Sequence, residues 1–182
     1  MLKRLAFAIL YVALMSTSVG VATRPVVVDT SSYTDDHAFD RLMIRSVFGN
    51  CGTPCVVRYN RGGFVAQFQI AADAIVRTNN SLVIDGDCYS ACVIAADQIR
   101  SRTCITPRAA FHLHKAGITT VKKVGGKEVH MRSNLQDPPQ SPDIVTWAYL
   151  YRGGYPADGF ITMTYADAKM FWRTCDNTIS KR

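Results

Sequence analysis

Ser90 stands in the stretch Gly86-Asp87-Cys88-Tyr89-Ser90-Ala91-Cys92, and two histidines, His112 and His114, follow 22 and 24 residues later. A serine hydroxyl becomes a useful nucleophile when a neighbouring base takes its proton, and imidazole suits that role near neutral pH. The apolar Leu82-Val83-Ile84 leads into the stretch, and an Ala-rich apolar segment over residues 91–99 leads out. That order reads strand, glycine turn, helix, with the serine at the junction. The first N–H groups of a helix have no intrahelical acceptor, so a group placed there meets unpaired donors. The plainer reading of Ser90 is a helix-capping serine. On an extended strand His112 and His114 face the same side, so one can act as base and the other as its neighbour.

The six cysteines are Cys51, Cys55, Cys88, Cys92, Cys104 and Cys175. An even count in an exported chain favours disulfides, and sequence alone leaves their pairing open. Cys51 with Cys55 would clip the Gly52-Thr53-Pro54 loop, and pairing of either with Cys104 or Cys175 is equally open. Cys88, Cys92, His112 and His114 are also ligand types that zinc takes, but a C-x3-C spacing across a turn is unusual for structural zinc. No metal and no cofactor is assigned.

The elements that must position these groups alternate. Pro25-Val26-Val27-Val28 reads as a first strand, residues 39–47 as a short helix, and residues 55–59 as a buried strand. Asn60-Arg61-Gly62-Gly63 ends that strand, and Val65, Phe68, Ala72 and Ile75 recur at helical spacing after it. Residues 81–85 form the next strand, with Gly86 beginning the central turn. Residues 103–106 and 109–113 are extended around Pro107. Residues 119–131 alternate about Gly125-Gly126, which predicts a hairpin. A proline-rich break precedes a helix over 142–151, and Thr164-Tyr165-Ala166-Asp167 opens a last helix running through Trp172. Strands alternating with helices predict an α/β fold with a mostly parallel sheet and flanking helices.

The chain has 182 residues, 48% hydrophobic and 19% charged, enough for one sizeable core. Lys3 and Arg4, the apolar run over residues 5–15, and Gly20 and Ala22 before a cleavage point predict a signal peptide over residues 1–22. The reading is one domain over 23–182, exported and periplasmic or secreted after cleavage, touching a membrane only if that segment stays uncleaved. The remaining basic excess is scattered; Arg100, Arg102 and Arg108 read as a solvated face, and no nucleic-acid partner is expected.

Taken together, these motifs resemble the Clp protease proteolytic subunit of the Clp protease/crotonase superfamily, over about residues 55–117 with a weaker echo at 160–172. Arg61-Gly62-Gly63-Phe64-Val65 stands where that family has Ser-Pro-Gly-Gly and an apolar residue. Gly86 to Ala91 matches its Gly-x-x-x-Ser-x, and Pro107 followed by His114 matches its proline, six residues and histidine. The resemblance implies the spiral fold of that superfamily, Ser90 as nucleophile and His114, not His112, as base. It further implies an oxyanion hole from the Gly63 and Ala91 N–H groups, Asp158 as the orienting acid, a peptide or protein substrate, and a homo-oligomer. Asn60-Arg61 in place of Ser-Pro, and the cysteines flanking Ser90, depart from the pattern. The expectation is therefore an exported serine hydrolase, a peptidase by resemblance. Its rivals are an inactive binding or assembly module on the same fold, and a cysteine-based redox or metal site.

Overall fold

The apolar Leu82-Val83-Ile84 opens an eight-residue strand, β2 (Leu82–Tyr89), whose first four residues are all buried. A strand buried on both faces is found inside a sheet, and β2 has three partners. Along one edge runs β1 (Cys55–Asn60), parallel, with Cys55 opposite Leu82 and Asn60 opposite Cys88. On the other edge β3 (Thr103–Ile105) pairs with the first half of β2, and β4 (Ala110–Leu113) with its second half, both parallel. The sheet thus forks near Asp85-Gly86. A Cβ on Gly86 would lie 2.0 Å from the carbonyl oxygen of Arg58, where β1 shifts its register between Val57 and Tyr59. Only glycine allows the two backbones to pass so closely. The fork is also held by charge. Asp85 is 5% exposed and accepts hydrogen bonds from Thr106 Oγ1 at 2.7 Å and from Arg108 Nη2 at 2.6 Å.

Two short strands complete the sheet, β7 (Ile161–Met163) antiparallel to β4 and β8 (Arg173–Thr174) parallel to β3. A separate antiparallel hairpin joins β5 (Ala116–Val124) to β6 (Lys127–Gln136) through Gly125-Gly126, both at positive φ. The architecture is mixed α/β, and the expected mostly parallel sheet is corrected to a mixed one. The reason lies at β4, whose outer edge pairs antiparallel with β7, Phe111 opposite Met163 and Leu113 opposite Ile161.

The flanking helices are α1 (Ala38–Phe48), α2 (Val65–Arg77), α3 (Ala91–Gln98), α4 (Pro142–Arg152) and the single turn α5 (Tyr165–Ala168). Alanines at 71, 72 and 74 of α2 and at 91, 95 and 96 of α3 are all buried, which lets the helices lie close to each other and to the sheet. Ile75, Leu82, Ile84 and Ile105 have no exposed surface, and each such burial is worth roughly 1.5–3 kcal/mol over exposure. Trp172 stacks on Phe111 at 4.4 Å and donates from Nε1 to Ala96 O at 3.0 Å, closing the core beneath α3.

The computed structural model describes residues 37–175. The expected signal peptide at 1–22 and strand at 25–28 lie outside them. Three sequence readings change. β2 runs through Gly86 to Tyr89, so the turn is at Ser90 itself. The last helix stops at Ala168, because Trp172 must enter the core and β8 must reach β3. Of the arginines expected on a solvated face, Arg108 is exposed and pairs with Asp85, whereas Arg100, between Asp97 and Asp143, and Arg102, on Asn79, are half-buried. Cysteine pairing is Cys51–Cys55, Cys88–Cys92 and Cys104–Cys175. Three disulfides are typical of an extracellular protein. Among the described residues no helix is long and apolar enough to cross a membrane.

Candidate functional site

Ser90 sits between the end of β2 and the start of α3 with φ +54° and ψ −117°. This is a region that residues with side chains rarely occupy, and it persists only where the surroundings enforce it. Here the Ser90 N–H donates to His112 O at 2.8 Å, and Val93 N donates to Ser90 O at 2.9 Å. The bend carries Oγ out of the strand toward His114, which lies one residue past the end of β4. Ser90 Oγ and His114 Nε2 are 2.7 Å apart, and with Nε2 unprotonated the hydroxyl donates to it. No cap hydrogen bond from the Ser90 side chain to α3 competes with that contact.

Gly62 and Gly63 follow β1 and meet the same junction. Gly62 has φ +75°, and a Cβ there would lie 2.5 Å from Tyr89 O, 2.9 Å from Ser90 Cβ and 3.1 Å from Ala91 N. The glycine turn is therefore laid directly against the serine. Asn60 fixes it: Oδ1 accepts from Gly62 N at 2.9 Å, while Nδ2 donates to Val47 O at 2.8 Å, tying the turn to α1. Ala91 is the first residue of α3, so its N–H has no intrahelical acceptor. Gly63 and Ser90 both line the cavity described next.

Beside the Ser90–His114 pair opens a cavity of about 530 Å³. Phe64, Val65, Ile94, Leu113 and Ile118 make most of its wall apolar, and Ser90, His114 and Gln140 are its polar members. That volume is within the range of small-molecule and side-chain binding pockets. The Pro138–Gln140 side of the wall is anchored twice. Tyr155 Oη donates to Gln140 Oε1 at 2.7 Å, and Ser141 N donates to Asp97 Oδ2 at 2.6 Å. Asp97 and Asp143 in turn share Arg100, which ties α3 to the start of α4.

Several contributors were not singled out in the sequence. Phe160 places its ring edge-on to His114, with centroids 4.8 Å apart, and edge-on to Tyr89 at 5.2 Å. His112 is not an equivalent of His114. Its Nε2 is 2.9 Å from Asp87 Oδ1, its Nδ1 is 3.1 Å from Thr162 Oγ1, and its ring stacks on Tyr89 at 4.0 Å. It knits β2, β4 and β7 together one residue before the serine. The only sequence signal for this was the shared face of His112 and His114. Asp87 and Thr162 come from strands whose pairing no local pattern reveals, and Phe160 stands just before β7. Asp158 is exposed, two residues before Phe160. Cys88 and Cys92 are joined to each other, and a disulfide sulfur is not the thiolate that binds metal.

Chemically, the arrangement offers a hydroxyl with a base at hydrogen-bond distance, a glycine turn against it, a helix start beside it and an apolar cavity in front. Comparison of the chain with family models, characterised proteins and solved structures finds no match.

Proposed function

We propose that this chain is an exported serine hydrolase that cleaves peptide bonds beside apolar side chains. The observation that carries the proposal is the 2.7 Å contact between Ser90 Oγ and His114 Nε2, made by a serine held in a rare backbone conformation. Ser90 Oγ attacks the carbonyl carbon as its proton passes to His114 Nε2. The carbonyl oxygen takes up the negative charge and turns toward the N–H groups of Gly63 and Ala91, donors that are worth most to a charge that develops only in the transition state. The protonated His114 then delivers its proton to the leaving amine. A water activated by the same nitrogen releases the acyl group from Ser90. Phe160 limits the tilt of the His114 ring, and Asp158 is the proposed orienting acid on the segment leading to it. The apolar cavity receives the side chain next to the scissile bond. Export belongs to the same proposal, supported by the three disulfides and the pattern of residues 1–22.

A fluorophosphonate probe tests it. Ser90 Oγ forms a bond to phosphorus, fluoride leaves, and His114 takes the serine proton. Wild-type protein is expected to label, while Ser90→Ala and His114→Ala are not. Labelling that persists in Ser90→Ala removes the assignment.

A further inference from the structure

The Cys88–Cys92 disulfide brackets Ser90, two residues to either side. Cys88 is the penultimate residue of β2, Cys92 is the second residue of α3, and neither has exposed surface. We propose that this disulfide is a positioning device for the nucleophile, so that Ser90 acquires its reactivity only when the two cysteines are oxidised. The inference rests on the reading of Ser90 as nucleophile.

The crosslink is badly placed to stabilise the fold at large. A disulfide constrains the unfolded chain more as the loop it closes lengthens. Cys88–Cys92 spans a sequence separation of 4, whereas Cys104–Cys175 spans 71. What the short crosslink does constrain is the path between the strand and the helix. Ser90 occupies φ +54°, where a non-glycine residue stays only under compulsion. A serine released from that constraint relaxes toward the extended conformation of an ordinary helix cap. Such a change rotates Oγ away from His114 and uses it to bond the helix instead. The other restraints are non-covalent: Ser90 N–H on His112 O from the strand side, Val93 N–H on Ser90 O from the helix side, and Gly62 packed against Tyr89 O, Ser90 Cβ and Ala91 N. The disulfide is the covalent crosslink across the turn, joining the end of β2 to the start of α3. Its formation removes two protons and two electrons from the paired thiols, taken up by a disulfide-bonded oxidant that leaves as a dithiol.

The test compares full-length variants by two readouts, the rate of fluorophosphonate labelling and the amide hydrogen exchange of Ser90. Cys88→Ala/Cys92→Ala is expected to label at least tenfold more slowly than wild type, with faster exchange at Ser90. The single Cys92→Ala, which leaves a buried thiol at 88, carries the same expectation should the double variant fold poorly. Cys51→Ala/Cys55→Ala, which removes a crosslink of equal span elsewhere, is expected to label within twofold of wild type. Labelling within twofold and unchanged Ser90 exchange in both Cys92 variants would overturn the proposal. If wild type itself does not label, the nucleophile reading fails, and the exchange at Ser90 still decides whether the disulfide holds the turn.

Discussion

At the residue scale, the candidate site is built where side chains are smallest. Gly62 lies so close to the serine turn that a methyl group there would press on Tyr89 O and Ser90 Cβ at once, at 2.5 and 2.9 Å. Gly62→Ala is expected to abolish probe labelling, because the turn and not the glycine must yield. Gly63→Ala is the matched control: its new Cβ would meet only Phe68 Cε2, at an ordinary 3.4 Å. Its stability in urea is expected to stay near that of wild type, while Gly62→Ala loses about 1–3 kcal/mol to overpacking. A midpoint for Gly62→Ala equal to that of wild type would contradict the close approach. The order glycine pair, serine, histidine was legible in the sequence because each member lies at an element end marked by local pattern. The roles of Asn60, Asp87 and Phe160 were not, because each depends on a group distant in sequence: Val47 of α1 for Asn60, His112 for Asp87, and Tyr89 and His114 for Phe160.

Asp85 supplies a second residue-scale prediction. Burial pushes its carboxyl pKa up, but hydrogen bonds from Arg108 and Thr106, with the charges of Arg108 and Arg58, outweigh that and hold it below the ordinary value of 3.8. A carboxyl depressed on folding stabilises the protein above its unfolded pKa, and the contribution is lost as pH falls through the lower folded value. Asp85→Asn is therefore expected to cost about 2 kcal/mol at pH 7, the order of a lost charged hydrogen bond in a buried site. The gap between variant and wild type should shrink in acid, below about pH 4. A gap independent of pH, read from urea midpoints at pH 7 and pH 3, would show that the carboxylate charge is not what secures the fork.

At the scale of elements, β2 leads directly into Ser90 and its neighbours bring up the groups around it. Its forked edge lets β4 begin late, which sets His112 opposite Tyr89 and carries His114 past the end of β2, beside Ser90. The apolar runs made β1, β2, α2 and α3 readable from the sequence, and Gly125-Gly126 did the same for the hairpin. β7 and β8, with three and two residues, have no pattern of their own and exist only through the edges they cover. Gly86 was misread as a turn for a related reason. A glycine that serves a close backbone approach and one that serves a turn look alike until the neighbouring strand is known. The two structural crosslinks of unlike span should also differ. On the chain-entropy account, removing Cys104–Cys175 costs about 4 kcal/mol and removing Cys88–Cys92 about 2 kcal/mol. Urea midpoints of the paired Cys→Ala variants check the ranking, and equal losses would contradict it.

At the scale of the whole molecule, three crosslinks use all six cysteines. Denatured but unreduced protein is expected to show no free thiol, and six after reduction. Free thiols before reduction would contradict the pairing. The even count made disulfides legible in the sequence, yet their connectivity was not, since Cys104 meets Cys175 only through the pairing of β3 with β8. Within this scaffold the hydroxyl, the imidazole, the glycine turn and the apolar cavity meet at one place, and the account stands on Ser90 being the nucleophile there. The most direct measurement is tandem mass spectrometry of the fluorophosphonate-treated protein after tryptic digestion. The account predicts a single phosphonyl adduct in the peptide spanning residues 78–100, on Ser90 and not on Ser81. An adduct elsewhere, or a fully unmodified peptide from folded, oxidised protein, would contradict it.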